Sequence, residues 1–176
     1  MFTSKDDVLA LLTDLGARLE ARGVHVELYL VGGAAMLIGY DRLAITRDID
    51  AVITPPGVID DVVEEIARER GDLPPDWLND AVLPLLPRLA DARSWEALAA
   101  PGITVTVASP EHLLAMKVRA GRGARDLQDI AVLCEVLDLT SVDEVWEICD
   151  TVWGPDMIRP DVRDGVSEFL ATRGLA

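Results

Sequence analysis

Cysteine, histidine and aromatic residues are scarce in this chain: 2 Cys, 2 His and 5% Phe, Trp and Tyr among 176 residues. Each shortage removes a class of function. Cys134 and Cys149 have no CxxC spacing and no histidine cluster beside them, so neither a disulfide framework nor a zinc site is expected. Both fall in apolar, helix-like segments and read as reduced core thiols. His25 and His112 have no metal ligand or nucleophile at a recognisable spacing, which leaves surface or helix-packing roles. Trp77, Trp95, Trp146 and Trp153 are scattered and lack basic neighbours, so they read as core or interface anchors rather than base-stacking platforms.

Long apolar runs are also missing. The best candidate, Leu28 to Tyr40, is too short to span a bilayer and is interrupted by Gly32-Gly33. The first residues lack a basic segment followed by an apolar one, so no signal peptide is expected and the cytoplasm is the default location. Basic residues are outnumbered, 16 against 31 acidic, for a net charge of −15. Phosphate backbones are held mainly by Lys and Arg, so this balance argues against broad, non-specific nucleic-acid binding. A local basic patch stays open, because Arg42, Arg47, Lys117, Arg119, Arg122 and Arg125 flank the segments discussed below.

What is present is an apolar half, enough for a core, arranged with clear periodicity. Ser4 to Arg22 reads as a capped amphipathic helix, with Val8, Leu11, Leu12, Leu15 and Leu19 at helical spacing. Val24 to Val31 alternates as a strand and breaks at Gly32-Gly33, after which Ala34 to Ile38 reads as a short helix. Thr46 to Ile53 is a second strand, Val58 to Arg70 a helix, and Trp77 to Leu86 a helix interrupted by proline. Ile103 to Ala108 is a third strand. Ser109-Pro110 then caps a helix to Arg119. Further helices are expected at Asp126 to Leu137, from the capping box Ser141-Val142-Asp143-Glu144 towards Trp153, and from Pro160 towards Gly174. A mixed half followed by a helical half favours an α+β fold.

Two segments carry chemistry. Leu30-Val31-Gly32-Gly33-Ala34-Ala35 is a strand running through two glycines into a helix, which presents bare backbone N–H groups and a helix N-terminus at one point, a phosphate-binding geometry. It is also a common packing device. Thr46-Arg47-Asp48-Ile49-Asp50 places two carboxylates at i and i+2, on one face of the expected strand. Such a pair repels itself unless a cation lies between, and Mg²⁺ suits it, since it takes few protein carboxylates and fills its shell with water and phosphate oxygens. The alternative is a solvated strand end bound by Arg42 and Arg47. A third cluster spans Lys117 to Ile130. There Asp126 and Asp129 have the spacing of a helix cap, and Lys117 reads equally as a surface lysine.

Together these residues resemble the polymerase-beta-like nucleotidyltransferase superfamily, whose minimal members carry a Gly-Gly or Gly-Ser pair after one strand and Asp-x-Asp on the next. Lys117 and Arg125-Asp126 look like the distal motifs of AbiEii-type nucleotidyltransferase toxins. A group of uncharacterised bacterial nucleotidyltransferase-like proteins is similar over Pro75-Asp76-Trp77-Leu78-Asn79-Asp80 and Ser109 to Lys117. The likeness runs from about Leu28 to Asp138. Two departures stand out. Many members have Ser or Thr after the glycines, where this chain has Ala34 and Ala35. Many carry a third carboxylate on a later strand, and Ile103 to Val107 has none, so Asp126 or Asp129 supplies it or the metal site is incomplete.

The resemblance implies an α+β fold, with a small mixed sheet as a nucleotidyltransferase-like α/β core over residues 1–108. A helical part, 109–176, would pack on it as one compact unit. It implies Mg²⁺ on Asp48 and Asp50, and a nucleoside triphosphate bound by Gly32, Gly33, Arg47 and Lys117. Asp48, Asp50, Lys117 and Asp126 form the implied catalytic set. The implied acceptor is a hydroxyl on an RNA 3′ end such as tRNA, or on a protein, and the implied setting is a toxin–antitoxin pair with a cognate partner. No membrane partner is expected. The rival reading is a non-catalytic module of the same fold, acting as an antitoxin or regulator.

Overall fold

A computed structural model of the protein describes residues 2–40, 46–121 and 123–175. The chain divides into two units, Met1–Pro84 with Ser94–Ala108, and Leu85–Arg93 with Ser109–Ala176. The fold is α+β, with a mixed sheet in the first unit and helices in the second.

The first unit opens with α1 (Lys5–Ala21), whose N-cap Ser4 accepts the Asp7 N–H at 3.1 Å. Its apolar stripe, Val8, Leu11, Leu12, Leu15 and Leu19, is fully buried. β1 (Val26–Leu30), α2 (Gly32–Gly39), β2 (Ile49–Thr54) and α3 (Asp60–Arg70) follow, then β3 (Leu78–Asn79), β4 (Trp95–Ala100) and β5 (Ile103–Val107). The sheet order is β3-β2-β1-β5-β4. β1 runs antiparallel to β2 and parallel to β5; β3 is parallel to β2 and β4 antiparallel to β5. One face is core: Val26, Leu28 and Leu30, Ile49, Ala51 and Ile53, and Ile103, Val105 and Val107 are all buried. The alternate positions Tyr29, Asp50, Val52 and Thr106 are half-buried and Glu27 and Thr54 exposed, in keeping with a strand period of two. α1 comes against β5 closely enough that a Cβ on Gly16 would meet Ile103 and lie 2.7 Å from the Pro101 carbonyl oxygen.

Two elements differ from the sequence expectation, and a third, β4, was not anticipated. Trp77 to Leu86 is not a helix. It is the two-residue edge strand β3 and a single 3₁₀ turn at Leu83–Leu85. Pro84 and Pro87 cannot donate helical hydrogen bonds. Instead the Ile49 N–H donates to the Trp77 carbonyl, and the buried Trp77 indole N–H donates to the Val63 carbonyl at 3.0 Å. β4 carries helix-forming residues but becomes a strand, because the Pro101-Gly102 turn folds it back on β5. α2 starts at Gly32 rather than Ala34.

The second unit is formed by α4 (Pro110–Ala120), α5 (Ala124–Val136), α6 (Val142–Trp153) and α7 (Pro160–Ala171), together with the segment Leu85–Arg93. α4 packs against α5, α6 and α7. Ser109 caps α4 with Pro110 in its first turn, and Ser141 and Glu144 form the expected capping box on α6. The Trp153 indole N–H donates to the Ala115 carbonyl at 2.9 Å, and Arg119 lies over its ring. Cys134 and Cys149 are buried free thiols. Burial pushes them up to about 11 and about 12, far from reactive thiolates. Among the described residues no helix is long and apolar enough to cross a membrane.

Candidate functional site

The first unit brings Gly32 and Asp50 together. Where β1 ends, the Val31 N–H donates to the Asp50 carbonyl at 3.0 Å, which aligns the start of α2 with the start of β2. Gly32 has φ +66°, a left-handed conformation that favours glycine. A Cβ there would lie 2.7 Å from Asp50 Oδ2, so the glycine also makes room for that carboxylate. Gly33 follows in the first turn of α2, and Val31 supplies no side-chain cap. The first glycine, the helix start and one carboxylate thus converge.

Asp48 is placed differently from the expectation. β2 begins at Ile49, not Thr46, so Asp48 lies in the bend just before the strand. The i, i+2 face argument therefore applies to Asp50 but not to Asp48. Thr46, buried and bridged to Phe2, donates its hydroxyl to the Asp48 carbonyl at 3.0 Å and so fixes that bend. Asp48 is half-buried and Arg47 exposed. Arg42 and the stretch Leu43-Ala44-Ile45 lie outside the described residues, as does Arg122. Among the described residues no group of three or more His, Cys, Asp or Glu side chains could hold a metal ion.

The second unit gathers the distal motif. Lys117 Nζ on α4 lies 3.0 Å from Asp126 Oδ1 and 2.8 Å from Asp129 Oδ2 on α5. The lysine side chain is only 14% exposed, so it is not a surface lysine. Neither aspartate caps a helix: α5 starts at Ala124 after Gly123, and Asp126 and Asp129 are buried inside it. The exposed Arg125 precedes them.

A further polar cluster escaped sequence reading. Buried His112 faces Asp91 Oδ1 at 3.4 Å and Ser109 Oγ at 3.4 Å, both through Nδ1, while Nε2 lies 3.1 Å from the Leu89 carbonyl. Asp91 also accepts the Ser109 N–H at 2.8 Å. Ser, His and Asp meet here, but not as a nucleophile relay, which needs serine and aspartate on opposite ring nitrogens. Ser109 is instead a helix cap, and the histidine fastens Leu85–Arg93 to the start of α4. No local signal announces Asp91, because its partners are 18 and 21 residues away.

Residues 7–155 match the model of a family described as "Nucleotidyltransferase of unknown function (DUF6036)", and the chain belongs to that family. No curated protein and no solved structure matches it.

Proposed function

We propose that the protein transfers a nucleotidyl group from a nucleoside triphosphate to a hydroxyl acceptor, with the nucleotide received at the Gly32–Asp50 junction. The observation that carries this reading is the Asp50 carboxylate set against the Gly32 Cα. Phosphates received by the first-turn amides of α2 would lie beside that carboxylate. Two anions so close repel unless a cation separates them, so the donor set fits a divalent cation such as Mg²⁺. Asp48 and Asp50 would hold it; bound there, it neutralises phosphate charge and orients the reacting phosphorus.

The residues of the chain do the rest. The Gly32 and Gly33 backbone positions the phosphates, and glycine lets them approach. Exposed Arg47 adds positive charge beside the same turn. The likeness to AbiEii-type toxins gives Lys117 a charge-stabilising role and Asp126 the acceptor proton, but in the second unit these two pair with each other, and the site proposed here routes no step through them. Such transfer depends mainly on positioning and electrostatics, so a sparse set suffices. With a net charge of −15, a protein hydroxyl suits the chain better as acceptor than a tRNA end, and a toxin–antitoxin setting would bring a cognate partner.

The test is transfer of label from α-labelled nucleoside triphosphates, with Mg²⁺, to the protein and RNA fractions of a cell extract. Asp50→Ala is expected to lower labelling by at least about a hundredfold while the fold is kept. Equal labelling by a well-folded Asp50→Ala protein would refute the assignment. A second reading, a non-catalytic nucleotide-binding module, is favoured by Ala34 and Ala35 after the glycines. Metal-dependent nucleotide binding without transfer would select it.

A further inference from the structure

The peptide group that joins Asp48 to Ile49 stands between the two carboxylates of the proposed metal site, and both of its polar atoms are held. Its carbonyl oxygen accepts the Thr46 hydroxyl at 3.0 Å, and its N–H, that of Ile49, donates to the Trp77 carbonyl at 2.7 Å. A planar peptide group held at both polar atoms cannot turn without losing a hydrogen bond. The next carbonyl, that of Asp50, accepts the Val31 N–H at 3.0 Å, which ties it to the turn at Gly32. The bonds to Trp77 and Val31 are main-chain bonds that other residue types could make equally well. The bond from Thr46 comes from a side chain and depends on the residue type.

The two aspartates differ in how much they need such a bond. Asp50 lies inside β2, where it is paired with Asn79 of β3, so the sheet fixes its backbone. Asp48 precedes the strand and has no ladder of its own. Thr46 takes the place of one, and it is itself held fast. It is 4% exposed. Its N–H donates to the Phe2 carbonyl at 3.1 Å, and its carbonyl accepts the Phe2 N–H at 2.8 Å. The Phe2 ring lies 6.4 Å from the Trp77 ring, whose indole N–H donates to Val63 of α3. Among the described residues the Thr46 hydroxyl makes one hydrogen bond, that to Asp48.

We propose that Thr46 is a positioning residue of the metal site: its hydroxyl sets the backbone from which Asp48 presents its carboxylate, so that Asp48 and Asp50 meet one cation without rearrangement. The inference rests on the reading of Asp48 and Asp50 as metal ligands. Mg²⁺ demands a near-ideal shell, so a loosely held ligand lowers its affinity. Outer hydrogen bonds that orient ligands are typically worth about 10–100-fold in metal affinity.

The test is calorimetric titration of ATP, CTP, GTP and UTP in excess Mg²⁺ against the wild type, Thr46→Val, Thr46→Ser and Ile66→Val. Amide exchange at Ile49, followed by NMR without metal, reads the pinned peptide directly. Thr46→Val keeps the shape and loses the hydroxyl. It is expected to weaken the best-bound nucleotide about tenfold and to speed Ile49 exchange by a similar factor. Thr46→Ser keeps the hydroxyl and restores both to within about twofold of the wild type. Ile66→Val removes one buried methylene from α3, lowers the melting temperature and leaves the affinity unchanged. Equal affinities in the wild type and Thr46→Val, with binding lost in Asp48→Ala/Asp50→Ala, would overturn the positioning role and leave the metal site standing. No Mg²⁺-dependent binding by the wild type would overturn the metal site and the proposal with it. A tenfold loss shared by Ile66→Val, no rescue by serine, or unchanged Ile49 exchange in Thr46→Val would reduce Thr46 to a packing residue and overturn the proposal.

Discussion

The two charged sites of this protein solve opposite problems. In the first unit, Asp50 stands against the Cα of a left-handed glycine at the start of a helix, half-buried, with Asp48 in the bend before it. In the second, Lys117 lies between Asp126 and Asp129, with side chains 14%, 9% and 2% exposed. One arrangement leaves Asp48 and Asp50 half-buried at a strand–helix junction. The other closes charge upon charge inside a helical packing. Motif residues alone do not separate these cases; burial does.

The largest effect is expected from the closed site. Lys117→Met keeps the volume but leaves two buried carboxylates without their ammonium. Breaking such a pair costs about 3–5 kcal/mol, read as a shift in the urea unfolding midpoint. A loss below about 1 kcal/mol would show that the lysine is not structurally committed, and the contrast would fail.

The same helical interior predicts a pH effect of similar size. Cys149 titrates at about 12 in the folded protein because burial disfavours the thiolate, against about 8.5 unfolded. Above pH 9 the unfolded chain releases this proton and the folded chain does not, so the contribution is full below pH 8.5 and is lost as pH rises towards 12. Compared with Cys149→Ala, the wild type should lose up to about 1.4 kcal/mol more per pH unit above pH 9. Parallel stability profiles from pH 8 to 10.5 would contradict the burial of that thiol.

A smaller change sharpens the half-buried site. Gly32→Ala forces a left-handed φ on an L-residue and places a Cβ against Asp50 Oδ2. The backbone cost is about 1–2 kcal/mol in thermal unfolding. The displaced carboxylate should weaken nucleotide binding further than this stability loss explains. Unchanged stability and affinity would mean that the close approach has no role.

These contrasts also show what was legible in the amino-acid order. The Ser4, Ser109 and Ser141–Glu144 caps are local, set by side chains within three residues of the amides they bind, and they appear where expected. Gly32 and Asp50 lie on separate elements, α2 and β2, and were linked beforehand only through the family resemblance. β3 and β4 were not legible, since their strand character comes from pairing with β2 and β5 and opposes their own proline content or helical propensity. The start of β2 was misplaced for the same reason, and with it the position of Asp48. His112 was read as lacking a partner because Asp91 reaches it from a separate segment.

The central claim is that Asp48 and Asp50 bind nucleotide through a metal. The most direct measurement is calorimetric titration of each ribonucleoside triphosphate, with and without Mg²⁺, against the wild type and Asp48→Ala/Asp50→Ala. The account predicts binding that requires Mg²⁺ and disappears in the double variant. Binding of equal strength in the two proteins, or none to the wild type with Mg²⁺ present, would contradict it.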